Sequence, residues 1–183
     1  LNWPQLLADF LPWEGKIKLV GNLPYSISTP LLFKVLEHRE LFPYIVFLLQ
    51  REVAERISGR PGSKDYAPLS IFFQIYYEVR IGQIFSPACF SPPPKVESAL
   101  LSLHRRPQPL LEIENFANFQ NFLRACFRHR RKQLLKNLKL EGFEEAKLTK
   151  IFSELNLKPI VRPEEVDELA YFQLFKQLHK VAS

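Results

Sequence analysis

In the first hundred residues, short apolar or alternating runs are separated by segments whose apolar positions recur at helical spacing. A short apolar run between turn residues predicts a strand, and apolar positions three and four apart predict a helix. Strands are predicted over residues 16–20, 43–49, 78–85 and 96–103. Helices are predicted over residues 29–36, 51–57 and 69–77, and a short amphipathic turn or helix over residues 3–13. Strands separated by helices are typical of an open α/β sheet.

The second part of the chain has a different pattern, with apolar residues at helical spacing and no strand-like segment beyond about residue 108. Helices are predicted there over residues 116–123, 127–140, 144–155 and 167–179. The sequence therefore predicts an α/β domain over residues 1–107 and a small all-helical domain over residues 108–183.

Two local signals predict finer detail. Thr29 is the expected N-cap of the second helix, with Pro30 in its first helical position. Residues 87–94 contain four prolines, which predict an extended, irregular loop.

Composition narrows the class of protein. Hydrophobic residues make up 46% of the 183 residues and charged residues 24%, which are globular proportions. The longest apolar runs are too short to cross a bilayer, and two cysteines are too few for a disulfide framework or a zinc site. We expect Cys89 and Cys126 to be buried free thiols. We also expect a cytoplasmic protein that binds no metal, has no membrane segment and forms no obligate dimer.

Charge points to the kind of partner, because a net charge of +6 suits a polyanion. Between residues 124 and 139 the chain has seven cations and no acid: Arg124, Arg128, Arg130, Arg131, Lys132, Lys136 and Lys139. A solvated helix face normally interleaves acids with bases, so this segment favours contacts with RNA phosphates. Lys95 is a further phosphate candidate, and His129 is expected to be a surface contact and not a catalytic base.

The tetrapeptide Asn22-Leu23-Pro24-Tyr25 lies at the carboxyl end of the first predicted strand, where ligands bind in open α/β sheets. Taken alone, these four residues fit a simple turn better than a site, since Asn and Pro favour turns. Gln50 follows the second predicted strand, and it is expected either to face the cleft or to make a structural hydrogen bond.

Longer segments resemble one family. Val20–Pro30, and then residues 49–56, 64–70, 85–98 and 127–138, are similar in order and in sequence to the ribosomal RNA adenine N6,N6-dimethyltransferases, the KsgA-type enzymes. The tail beyond about Leu140 matches only loosely. The resemblance implies a Rossmann-like class I methyltransferase sheet, of which this chain holds the carboxyl-terminal half, followed by a helical RNA-binding domain.

The resemblance also implies a reaction. Methyl groups would pass from S-adenosylmethionine to N6 of two adjacent adenines in a hairpin of small-subunit ribosomal RNA, during ribosome biogenesis. Residues 22–25 would be the catalytic segment, with Asn22 and Leu23 also touching the cofactor near its methyl group. An exocyclic amine is a poor nucleophile, and two acceptors, the Asn22 side-chain oxygen and the Leu23 carbonyl, would orient it without a general base.

Two aromatic residues are expected to hold the target base. A base must leave its stack before its amine can react, and an aromatic face then receives it. Tyr25 is predicted to supply one face, and by resemblance Phe90 supplies the other. Core packing is the alternative for Phe90.

The family's glycine-rich cofactor loop and its acidic cofactor contacts are not found before Asn22. The chain has no methionine, even at position 1. We therefore expect that an upstream segment precedes Leu1, and that the 183 residues are not an autonomous domain.

Two other functions fit parts of the pattern. One is a large-subunit rRNA adenine methylase of the erythromycin-resistance type. The other is a non-catalytic RNA-binding factor for ribosome assembly that retains the fold.

Overall fold

The computed structural model describes residues 17–179. The turn or helix predicted over residues 3–13 lies outside the described residues. The described chain folds into two compact units, the first containing residues 17–58 and 72–109 and the second residues 59–71 and 110–179. Residues 59–71 group with the helical unit, which no sequence signal indicated.

One four-stranded sheet forms the first unit. Its strands are β1 (Lys18–Asn22), β2 (Tyr44–Gln50), β3 (Tyr77–Phe85) and β4 (Ser98–Arg105). Their order is β1-β2-β4-β3, with β1 parallel to β2 and β4 antiparallel to both β2 and β3. All four predicted strands are confirmed, with ends displaced by two residues at most.

The reversed direction of β4 decides which residues meet at one edge of the sheet. Ser98, the first residue of β4, pairs with Gln50 at the end of β2 and with Phe85 at the end of β3. Asn22, at the end of parallel β1, pairs with Leu48 at the same end of β2. The ends of three strands and the start of the fourth therefore share an edge.

Helices pack on the sheet, and alternate residues of its interior strand β2 are buried. The helices are α1 (Ser28–Glu37), α2 (Arg51–Ser58) and α3 (Pro68–Tyr76), and the boundary between the two units falls within α3. Alternate residues of β2, namely Ile45, Phe47 and Leu49, are at most 1% exposed. The residues between them, Val46 and Leu48, are half-buried. Because successive side chains point to opposite faces, one face of β2 is covered more fully than the other.

The start of α1 differs from the prediction. The helix begins at Ser28 and not at Pro30, so Thr29 lies within it, and the N-cap residue is Ile27, which makes no side-chain cap. Ser28 Oγ donates instead to the carbonyl oxygen of Tyr25, 3.2 Å away. The turn after β1 therefore continues into the helix, which places Pro30 third in the helix.

Four helices form most of the second unit. They are α4 (Phe116–Cys126), α5 (Leu134–Leu140), α6 (Glu145–Glu154) and α7 (Glu168–His179). Aromatic rings join α4 to α7, with the Phe119 and Phe175 centroids 5.2 Å apart. None of the helices in the described part of the chain is both long enough and apolar enough to cross a bilayer.

The single helix predicted over residues 127–140 is wrong. Helix α4 ends at Cys126, turns follow, and α5 begins only at Leu134. The buried Asn137 side chain explains the break, because its Nδ2 donates to the carbonyl oxygens of Cys126 at 2.7 Å and His129 at 3.2 Å. In a continuous helix those carbonyls would accept backbone N–H groups.

The cysteine prediction is half wrong. Cys126 is a buried free thiol, and burial raises its pKa well above the usual value. Cys89 is also free, but it is exposed. It ends a short 3₁₀ turn (Pro87–Cys89) within the otherwise irregular proline-rich loop, and Ser86 caps that turn by accepting from the Ala88 N–H.

A close backbone approach makes Gly59 sensitive to substitution. A Cβ at Gly59 would lie 2.8 Å from the backbone atoms Asp65 C and Tyr66 N, whereas a Cβ at Gly82 would meet Leu100 at an ordinary 3.5 Å. Gly59→Ala is therefore expected to lower the free energy of unfolding by about 1–3 kcal/mol, as overpacking does. Gly82→Ala is the control and should change it by less than about 1 kcal/mol. Chemical denaturation measures both, and equal effects would contradict the prediction.

Candidate active site and nucleic-acid interface

The end of β1 presents two oxygen acceptors at the sheet edge. Asn22 is exposed, whereas the side chain of Leu23 is buried at 5% exposure. The Leu23 N–H donates to the Leu48 carbonyl at 2.9 Å, which fixes the backbone just beyond the strand. Within residues 17–179, neither the Asn22 side chain nor the Leu23 carbonyl oxygen has a hydrogen-bond partner. Both oxygens are therefore free to accept from a ligand.

Tyr25 is held to the same edge by its hydroxyl. The Tyr25 OH and Ser98 Oγ lie 2.6 Å apart, and Ser98 is fully buried at the start of β4. The Tyr25 ring is half-buried, so part of it remains accessible. The hydrogen bond joins residues 73 positions apart, and sequence reasoning did not find it.

Phe90 lies in the proline-rich loop that joins β3 to β4. It is half-buried, and its ring meets Phe85 edge to face with centroids 6.5 Å apart. The Phe90 N–H donates to the Pro87 carbonyl at 3.2 Å, which fixes the turn before it. Phe90 is therefore not one of the buried core residues, and its loop starts and ends at the edge that carries Asn22 and Tyr25.

Gln50 and the residues after it line a recess of about 390 Å³. The Gln50 side chain makes no hydrogen bond to any described residue. Arg51 donates to Glu55 at 2.7 Å and to Glu97 at 2.8 Å. These hydrogen bonds raise the pKa of Arg51 above its usual value, so it stays protonated. The negative charges of the two carboxylates balance its positive charge. Lys95, two residues before Glu97, is exposed.

The basic segment separates into two groups. The cations of one group bind other residues of the protein. Arg128 forms an ion pair with Glu141 at 2.5 Å, and Lys139 forms one with Glu145. Arg130 Nη2 donates to the carbonyl oxygens of Lys64 at 2.6 Å and Tyr66 at 2.9 Å. Arg130 thus ties residues 64–66 to the rest of the helical unit through one guanidinium nitrogen, and the phosphate contact predicted for it stays a prediction. Arg124 is exposed, on the last turn of α4.

The other group lines a groove of about 900 Å³ in the helical unit. The cations around it are Arg131, Lys132, Lys136, Lys158 and Arg162. None of the five forms an ion pair with a carboxylate among residues 17–179. The lining also includes Glu165, whose Oε2 accepts from the Arg162 N–H at 2.7 Å. We call this the basic groove.

Sequence reasoning missed Lys158 and Arg162, because they lie well beyond the basic run. A backbone hydrogen bond of 2.8 Å from the Leu134 N–H to the Val161 carbonyl brings their loop to the start of α5. The sequence offers only a weak signal for these two cations, namely that each stands directly before a proline, Pro159 or Pro163.

The fold is similar to that of solved methyltransferases. A crystal structure of a dimethyladenosine transferase from Plasmodium falciparum matches with a TM-score of 0.73 and 28% identity, over 87% of this chain and 66% of that chain. The 23S rRNA methyltransferase ErmE matches with a TM-score of 0.65 over 92% of this chain and 68% of that chain, and its 22% identity supports the fold alone. The first unit therefore has the Rossmann-like methyltransferase fold.

Sequence comparison is more specific. A family model described as ribosomal RNA adenine dimethylase matches residues 4–180. Relatives named ribosomal RNA small subunit methyltransferase A are 39% identical over 171 residues in Geobacter metallireducens and 38% identical over 176 residues in Bacillus cereus. The chain belongs to the ribosomal RNA adenine dimethylase family. These alignments cover 90% and 92% of this chain, but only 62% and 60% of the two relatives.

The Tyr25–Ser98 hydrogen bond can be tested with a double-mutant cycle. Tyr25→Phe and Ser98→Ala should each lower the free energy of unfolding by about 1 kcal/mol, because each leaves a partner unpaired. The double variant should lose less than the sum, with a coupling of about 0.5–1.5 kcal/mol. Tyr44→Phe, at a ring 46% exposed, is the control and should have little effect. Additive losses in chemical denaturation would contradict a bond between the two hydroxyls.

Proposed function

We propose that this chain forms the base-methylating part of an S-adenosylmethionine-dependent rRNA adenine N6-dimethyltransferase. The observation that carries the proposal is the pair of unpartnered oxygens at the end of β1, on Asn22 and Leu23. Family membership supports the reaction class.

Asn22 and Leu23 act as acceptors for the two N–H groups of the adenine amine. Each hydrogen bond favours a more tetrahedral nitrogen, whose lone pair is then no longer delocalised into the ring. Because β1 and the bond from the Leu23 N–H to Leu48 fix the backbone of both residues before the base arrives, only the Asn22 side chain has to orient. A neutral amide also avoids taking a full charge out of water beside the base.

The same two residues fit the methyl-donor end of the cofactor. The exposed Asn22 amide and the Leu23 carbonyl lie at the carboxyl end of a strand, where open α/β sheets bind their ligands. When bound, S-adenosylmethionine supplies an electrophilic methyl group and a neutral leaving group, so the protein need only position the amine against it.

Tyr25 and Phe90 hold the extruded base. The hydrogen bond to Ser98 anchors the Tyr25 ring at its tip, so the ring loses little freedom when a base stacks on it. Stacking of one base on one aromatic ring contributes about 1–3 kcal/mol. Phe90 supplies the second face from a loop stiffened by prolines.

The substrate is small-subunit rRNA, with two adjacent adenines of one hairpin as the targets. The relatives named small subunit methyltransferase A support the small-subunit rRNA over the large-subunit rRNA as the substrate. The basic groove contacts the RNA backbone, because its five cations lack carboxylate partners in the described chain. Lys95 adds a phosphate contact beside the active site. Assays with both purified ribosomal subunits as methyl acceptors separate this function from the large-subunit alternative.

Asn22→Ala is expected to abolish methylation of small-subunit rRNA while leaving RNA affinity unchanged. The substitution removes one acceptor at an exposed position, so the fold should persist. Methyl transfer from radiolabelled cofactor, with the intact protein and small subunits, measures the effect. Asn121→Ala, at an exposed position of α4, is the matched control and should methylate normally. Undiminished methylation by Asn22→Ala would contradict the catalytic role of Asn22, whereas no methylation by the unaltered protein would favour a non-catalytic assembly factor.

The basic groove is tested through the salt dependence of RNA binding. Arg131→Gln together with Lys136→Gln should weaken binding and reduce the slope of log affinity against log salt by about 1.4–1.8, the value for two phosphate contacts. Lys150→Gln with Lys176→Gln is the control of equal charge, at exposed positions outside the groove.

Arg130→Gln should behave differently from the groove variant. Its guanidinium holds two backbone carbonyls, so this change should lower the thermal midpoint and leave the salt slope nearly unchanged. Equal slopes for the groove variant and the Lys150/Lys176 control would contradict the assignment of the groove.

A further inference from the structure

A second recess adjoins the basic groove within the helical unit. It has a volume of about 510 Å³ and shares Gln133, Lys136 and Ile160 with the groove. We call it the α5–α6 recess. Its walls include the side chains of Leu135, Leu157 and Pro159, so most of its surface is apolar.

Charge differs between the groove and the recess, which share one cation that is unpaired in the described chain, Lys136. Lys139 and Glu145, which also line the recess, neutralise each other in an ion pair. The five cations of the groove have no such partner among the described residues. A ligand that spans both is therefore anionic in the groove, as far as Lys136 at the shared wall, and uncharged beyond it in the recess.

The recess also has polar groups at its rim. Thr149 Oγ1 donates to the Glu145 carbonyl at 2.9 Å, which leaves its lone pairs free to accept. Ser153 is exposed and Gln133 is half-buried, and both contribute groups able to donate and to accept. An uncharged ligand with flat apolar faces and polar edges satisfies both the walls and the rim.

We propose that the α5–α6 recess binds one unstacked nucleobase of a single-stranded RNA segment whose phosphates lie in the basic groove. The proposal rests on the proposed function, in which that groove contacts rRNA. Single-stranded segments present bases that are splayed out of the stack, with polar edges available for hydrogen bonds. Phe152 is the aromatic residue of the lining and is only 2% exposed, so apolar burial and edge contacts hold the base, not ring stacking.

The test compares two probes of equal charge in binding to the full chain. One is a short, unstructured, fluorescent oligoribonucleotide, and the other is the abasic strand of the same length. The oligoribonucleotide should bind about tenfold more tightly, the effect of burying about 60 Å² of apolar surface. Ser153→Leu fills the recess from an exposed helical position and should remove that preference without weakening abasic binding. Ala146→Leu, exposed on the same helix but outside the recess, should keep it.

Three results would overturn the proposal: equal binding of the two probes, a preference that survives Ser153→Leu, or polyglutamate binding as tight as that of the oligoribonucleotide. The last result would assign the surface to an acidic peptide. Neither probe requires methyl transfer, so loss of the nucleobase preference and loss of the Asn22-dependent activity are independent outcomes. The nucleobase proposal can therefore fail while the methyltransferase function stands, and the reverse also holds.

Discussion

The Tyr25–Ser98 hydrogen bond joins two parts of the candidate active site that the chain builds separately. Tyr25 follows β1, whereas Ser98 begins β4 and is fully buried between β2 and β3. Because β4 runs antiparallel, its first residue lies at the edge where the other strands end. The turn that follows Asn22 is thereby fixed at both ends, by the Leu23 bond to Leu48 and by the tyrosine hydroxyl. The proposed function, which orients an amine, depends on such rigidity.

The basic segment shows that a run of charge in the sequence is not the same as charge available to a ligand. Arg128 and Lys139 meet carboxylates, and Arg130 meets two backbone carbonyls. Three other cations of the run, Arg131, Lys132 and Lys136, lie around one groove, together with two from a distant loop. An exposed ion pair contributes little to stability, but each pairing removes a cation from competition for phosphate.

Strand positions could be predicted because apolar alternation is a local property, and the Asn22–Tyr25 segment could be placed because it follows such a strand. Three features could not. The break between Cys126 and Leu134 depends on hydrogen bonds from the Asn137 side chain to backbone carbonyls, and helical periodicity does not reveal such bonds. The grouping of residues 59–71 with the helical unit depends on bonds from Arg130 and on Gly62 donating to Glu164. The presence of Lys158 and Arg162 in the basic groove depends on the backbone hydrogen bond from Leu134 to Val161, which joins distant segments of the chain.

The two candidate sites have opposite electrostatic character, and the chemistry explains why. At the sheet edge the acceptors are a neutral amide and a backbone carbonyl, and the nearby Arg51 is neutralised by Glu55 and Glu97. If the proposed adenine amine binds there, a free cation would compete with it for the same oxygens, and a free carboxylate would have to be desolvated when the base enters. The cations of the groove, by contrast, have no carboxylate partner in the described chain, which suits the proposed contact with a phosphate backbone, because such contacts depend on charge. Affinity and orientation can therefore be supplied by different residues, and salt can weaken the first without disturbing the second.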